Sequence, residues 1–139
     1  MSAQKFYLFK KEEVDKVLAM APEIGKRMLF KSSDNPVGIL EDKDVVNDAE
    51  VHKTEGDLWL CLEGEVTFIC GGELVDPWFS KDKDGKDKLN ELKAKEIKGG
   101  TEMTLKPGDW LWIPAGEPHQ HKCSGMSRLV IIKIPAKGG

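Results

Sequence analysis

The chain holds only three histidines, His52, His119 and His121. All lie in two stretches, EVHKTEGDLWLCLEGEV from Glu50 to Val66 and GDWLWIPAGEPHQH from Gly108 to His121. Residues two apart on a strand point the same way, so a pocket that receives His119 also receives or borders His121. Two imidazoles on one face, beside a rigid turn built from Pro114 and Gly116, are costly as mere packing and point to a chemical site. In the earlier stretch His52 and Asp57 stand five apart, an offset that sends them to opposite faces of a straight strand. A bend at Thr54-Glu55-Gly56 brings both to one cavity. Asp57, Trp59 and Cys61 then share one face of the following strand, and Leu58, Leu60 and Leu62 take the other. An ionised Asp heading such an apolar strand is costly unless it is paired or bound to a metal. The chemistry these residue types suit together is the binding of one metal ion.

Short strands must position them. Apolar pieces at Phe6–Phe9, Met28–Phe30, Val37–Leu40 and Val45–Val46 are separated by the turn compositions SSDNP and EDKD. Leu58–Leu62, the turn Glu63-Gly64-Glu65, Val66–Cys70, Gly71-Gly72 and Glu73–Val75 follow as two hairpins, with further strands at Thr101–Leu105, Trp110–Ile113 and Leu129–Ile134. The segment 89–97 reads equally as strand or helix. One amphipathic helix is expected over Lys11–Met20, with Val14, Val17 and Leu18 on one face, to cover a core. Glu12 and Glu13 suit its first turn. The expected class is all-β with a short N-terminal helix. Residues 76–88, DPWFSKDKDGKDK, read as a charged loop, or as a lid through Trp78 and Phe79.

The bulk properties exclude several classes. A length of 139 residues suits one domain, 1–139. A net charge of -3, with Lys dominating the basic residues and only Arg27 and Arg128 able to make forked contacts, argues against nucleic acid. No apolar run approaches a membrane span and the start lacks a signal-peptide core, so the expected location is cytoplasmic. Cys61, Cys70 and Cys123 are odd in number and contain no CxxC pair, which reads as three small buried hydrophobes.

The spacing Gly108, five residues, Pro114, one residue, Gly116, two residues, His119 resembles the second sequence motif of the cupin family. The first cupin motif is two His one residue apart, then a carboxylate, then a Gly seven positions later. It is matched by His52, Asp57 and Gly64, with Glu50 in place of the first His and Asp57 in place of the usual Glu. The resemblance covers about residues 40–135. It implies a cupin jelly-roll β-barrel, the double-stranded β-helix, enclosing a metal and built as a homodimer. The first stretch also resembles that of the 3-hydroxyanthranilate dioxygenases, cupins that lack the first His and bind iron through two His and one carboxylate. Carried over, His52, Asp57 and His119 are the metal ligands. The substrate-gripping arginines of that subgroup are not evident here.

Two neutral imidazoles and a carboxylate leave positions open on an octahedral ion, the arrangement in which non-haem Fe(II) takes up substrate and oxygen together. The resemblance therefore implies one divalent metal ion, Fe(II) first and Mn, Ni, Co or Zn as alternatives, and a dioxygenase acting on a small organic molecule. A non-redox isomerase or lyase, or a cupin that binds without turnover, are the alternatives. Glu50, on the face of His52, is a fourth ligand or a general base, and His121 a supporting group or acid/base. Glu55 is a substitute carboxylate if the bend differs. Trp59, Trp110 and Trp112 are core residues or the substrate pocket; as a pocket wall they favour an aromatic or otherwise apolar substrate.

Overall fold

A computed structural model describes residues 6–31 and 36–136. Among these residues helix α1 (Lys11–Leu18) precedes twelve strands: β1 (Gly25–Leu29), β2 (Val37–Val46), β3 (Ala49–His52), β4 (Glu55–Glu63), β5 (Val66–Cys70), β6 (Glu73–Leu74), β7 (Trp78–Lys81), β8 (Asp87–Ala94), β9 (Ile97–Lys98), β10 (Thr101–Leu105), β11 (Trp110–Ile113) and β12 (His119–Pro135). The all-β class with one short helix, expected from the sequence, is the observed one.

The long strand β12 organises the rest. Its first turn of ladder pairs with β5, His119 opposite Cys70 and His121 opposite Phe68, and touches β3 with His119 opposite Glu50. Beyond a bulge between Cys123 and Met126, it runs between β2 and β4, with Leu129 opposite both Leu40 and Cys61. Two antiparallel groups result, β1-β2-β12-β4-β11 and β7-β8-β3-β12-β5-β10, sharing β12, and among the described residues the ladder does not close into the β-barrel that the resemblance implies. Alternation along each strand turns Trp59, Cys61, Phe68, Leu129 and Ile131 inward with Leu40, Val66, Leu105 and Ile113 to form the core. Phe68 and Leu129 are fully buried.

Several local expectations change. Phe6–Phe9 is not a strand: its apolar side chains are spent on the ring contacts Tyr7–Phe9 and Phe9–Phe30, leaving Phe6 and Leu8 mostly exposed. α1 ends at Leu18, and Val14, Val17 and Leu18 are only half-buried. EDKD is no turn but the middle of β2, where Glu41 and Asp42 are completely buried. Arg128 explains Glu41. It donates to Glu41 from Nε at 2.9 Å, to Glu63 at 3.0 Å and to the carbonyl of Leu18 at 2.7 Å, while Arg27 reaches Glu41 from the other side at 2.8 Å. The only two arginines thus clamp α1 and β1 onto the sheet. Segment 76–88 is a hairpin rather than a loop: β7 pairs with β8, Asp82 accepts from the N–H groups of Asp84 and Lys86 to form the turn, and 89–97 largely belongs to β8.

Candidate metal centre

His119 is delivered by the turn at 114–118. Gly116 there has φ +85°, a conformation that only glycine adopts at little cost. Its N–H donates to the carbonyl of His52 at 2.8 Å, tying the two histidine stretches together before any side chain meets. The Nδ1 of His119 lies 3.0 Å from the carbonyl of Glu117. A ring that donates from Nδ1 has its Nε2 lone pair free, and that nitrogen faces the cavity. β3 ends at His52 and β4 starts at Glu55, so the bend falls at Lys53-Thr54, one residue earlier than expected, and still turns His52 and Asp57 to one place.

The donor atoms converge. Glu50, His52 and His119 present ligand atoms that all lie within 4.8 Å of one another. Glu50 Oε2 is 3.2 Å from His52 Nε2 and 3.9 Å from His119 Nε2, and Asp57 Oδ2 is 3.8 Å and 3.4 Å from the same nitrogens. Adjacent donors around an octahedral divalent ion stand about 3 Å apart, given metal–ligand distances of about 2.1 Å. Asp57 is 1% exposed, and its Oδ2 has no hydrogen-bond partner among the described residues although its Oδ1 accepts from Lys133 at 2.6 Å. A buried, unpartnered carboxylate oxygen aimed between two imidazole nitrogens is what a cation would satisfy, so the residues present fit a divalent metal.

The electrostatics agree. Burial opposes ionisation of Glu50, but His52, which it meets at 3.2 Å, helped by His119 and Lys26, outweighs it and pulls its pKa down to about 2. Burial likewise opposes ionisation of Asp57, and His119 and Lys133 overcome it, holding its pKa below the usual carboxylate range. Glu91, fixed by Ser80 at 2.9 Å and Lys88 at 2.8 Å, stands 3.9 Å behind His52 Nδ1.

The other candidates divide. His121 is buried and borders the cavity, stacked on Phe68, with its Nε2 2.9 Å from Asp42 Oδ2. It stands in a separate pair behind the donor cluster. Trp59 lines the cavity and contacts the His121 ring at 5.2 Å. Trp110 and Trp112 do not line it: in WLWI the inward parity belongs to Leu111 and Ile113, leaving the two Trp 61% and 50% exposed on the outer face. Glu55, at the pairing of β4 with Pro135, is outside the cluster. Burial raises the pKa of all three cysteines, Cys70 to about 11, in keeping with inert packing.

Sequence reasoning missed Lys133 and Asp42. Lys133 donates to Asp57 and lies 3.2 Å from His52 Nε2, inside the donor cluster. The signal was present in LVIIKI, where Leu129, Ile131 and Lys133 share the inward parity.

No family model and no curated protein matches the chain. Solved structures do. A cupin superfamily protein from Desulfitobacterium hafniense DCB-2 is 18% identical with a TM-score of 0.53, over 84% of each chain. The Schizosaccharomyces pombe Cnp3 cupin domain is 13% identical, TM-score 0.55, over 86% of this chain and 67% of that one. A hydroquinone 1,2-dioxygenase from Sphingomonas sp. TTNP3, solved with 4-hydroxybenzoate bound, is 13% identical, TM-score 0.50, over 90% and 72%. At these identities the likeness is one of fold, and a fold by itself fixes no activity. The chain is a small protein of the cupin fold.

Proposed function

We propose that this chain is a metalloenzyme that holds one divalent ion through His52, His119 and Asp57, with Glu50 as a fourth donor, and acts on a small organic molecule. One observation carries the reading: the buried Asp57 Oδ2, without a hydrogen-bond partner among the described residues, faces the Nε2 atoms of two buried histidines. Two imidazoles and two carboxylates leave two positions of an octahedral ion open, which favours Fe(II) and dioxygenase chemistry over a closed structural site. Such an ion supplies a redox centre for oxygen or, with another metal, a Lewis acid. The chain's own residues set its surroundings: Glu117 fixes the tautomer of His119, Lys133 orients Asp57, and Trp59 with Ile131 keeps the inner wall apolar. His121, held against Asp42, is the group placed to move a proton at the back of the cavity. A homodimer in the cytoplasm belongs to the same proposal, the exposed Trp110, Trp112 and Ile134 offering the apolar surface for it.

Anaerobic loading with Fe(II) followed by nitric oxide tests the dioxygenase reading. An iron–nitrosyl signal in electron paramagnetic resonance is expected. Iron bound without that signal sinks the oxygen-using reading in favour of isomerase, lyase or binding roles.

A further inference from the structure

Resting on the metal site just proposed, we infer that its ligand is a small carboxylate anchored by Lys133. Lys26, Glu50, Asp57 and Lys133 line the cavity, so two ammonium groups and two carboxylates cancel there. A divalent ion adds two positive charges to these lining groups, of which the buried Asp42 behind His121 offsets one, inside walls formed by Met28, Leu40, Trp59 and Ile131. Such excess charge in a low-dielectric surrounding favours an anion over a neutral ligand.

Lys133 supplies the specific contact. Its ammonium has three donors. One goes to Asp57 Oδ1 at 2.6 Å and one toward His52 Nε2 at 3.2 Å, the nitrogen lone pair that an ion would take. Metal loading therefore releases an N–H of Lys133 beside the ion. The side chain remains tethered to the buried Asp57, is itself about one-third exposed and lines the cavity. A ligand carboxylate accepts that released donor, and Lys26, on the exposed side of β1, adds attraction at the rim.

The space restricts the ligand further. The cavity measures about 90 Å³, room for roughly six to nine water-sized positions at 10–15 Å³ each. A short aliphatic mono- or dicarboxylic acid fits this volume.

The test uses the full chain loaded with Mn(II), its metal content measured first. Acetate and malonate are titrated against their neutral twins acetamide and malonamide by calorimetry and by the Mn(II) electron paramagnetic resonance line shape. The acids are expected to bind at least tenfold more tightly than the amides and to change the spectrum. Lys133→Gln is expected to lose most of that preference while keeping its Mn(II), and Lys26→Ala to weaken acid binding about two- to threefold. Equal binding of acid and amide by fully loaded protein overturns the inference and leaves the metal site standing. Loss of less than twofold in Lys133→Gln overturns the assigned anchor. Failure of the native chain to take up Mn(II) overturns the site and the inference together. If Lys133→Gln loses fold or metal, the native acid-to-amide ratio and Lys26→Ala decide.

Discussion

Replacing Asp57 with Asn keeps the side chain's shape and removes its charge, which separates the two roles the structure gives it. In the metal-free protein Asp57 is the counter-ion of Lys133 at 2.6 Å. Breaking a buried ion pair by neutralising one partner costs about 3–5 kcal/mol. Asp57 is 1% exposed but the Lys133 side chain is 32% exposed, so water recovers part of the loss. Asn can still accept a hydrogen bond from Lys133. About 2 kcal/mol is therefore expected in urea unfolding of the metal-free variant, with an unchanged denaturant slope. For a chain of this length that is about 6 °C in Tm, at about 3 °C per kcal/mol. Divalent metal should then stabilise the native protein more than Asp57→Asn, because the variant has lost an anionic donor. A metal-free Asp57→Asn as stable as the native chain within about 0.5 kcal/mol would mean that the Lys133 contact has no energetic weight. Equal metal stabilisation of both proteins would remove Asp57 from the ligand set.

Glu41→Gln strips the charge facing Arg27 and Arg128 and is expected to cost about 3 kcal/mol at neutral pH in urea unfolding. Burial opposes ionisation of Glu41, but the N–H of Glu23 and the two arginines outweigh it and lower its pKa. Its contribution is thus present above the ordinary carboxylate range and lost as pH falls through the lowered value, so acidification should erode the native chain's stability more than the variant's. Parallel pH profiles would contradict this. Gly64→Ala places a Cβ 2.0 Å from the carbonyl oxygen of Met126 at φ +72°, and should destabilise by about 2 kcal/mol or more. Gly85→Ala, at φ +81° in open space, should cost only about 1 kcal/mol of backbone strain, and equal losses at the two positions would refute the steric account.

What could be read from the sequence was what strand parity and special backbone conformations dictate. Asp57, Trp59 and Cys61 share the inner face as alternation requires, His119 follows a glycine with positive φ, and the bend after His52 lies within one residue of its expected place. What escaped was polarity placed against type. EDKD has turn composition, yet Glu41 and Asp42 are buried because Arg128 and His121 come to them from β12, distant in sequence, and Arg27 from the neighbouring β1. Lys133 was hidden by the apolar strand around it, although its parity points inward. Trp110 and Trp112 share a face, as alternation says, but which face depends on the pairing of β11 with β4, and there Trp112 packs over Gly56 outside the cavity. The charged hairpin β7–β8 resembled a loop because strands that face solvent near the edge of a sheet, here formed by β7, carry little apolar signal.

Every role proposed for this cavity requires that His52 and His119 hold a metal. Metal analysis of the native chain and of the His52→Ala/His119→Ala double variant, both loaded with Fe(II) without oxygen and desalted, tests it directly. The native protein is expected to retain close to one ion per chain and the double variant almost none, with both remaining folded by circular dichroism. Equal metal in the two proteins would contradict the assigned centre.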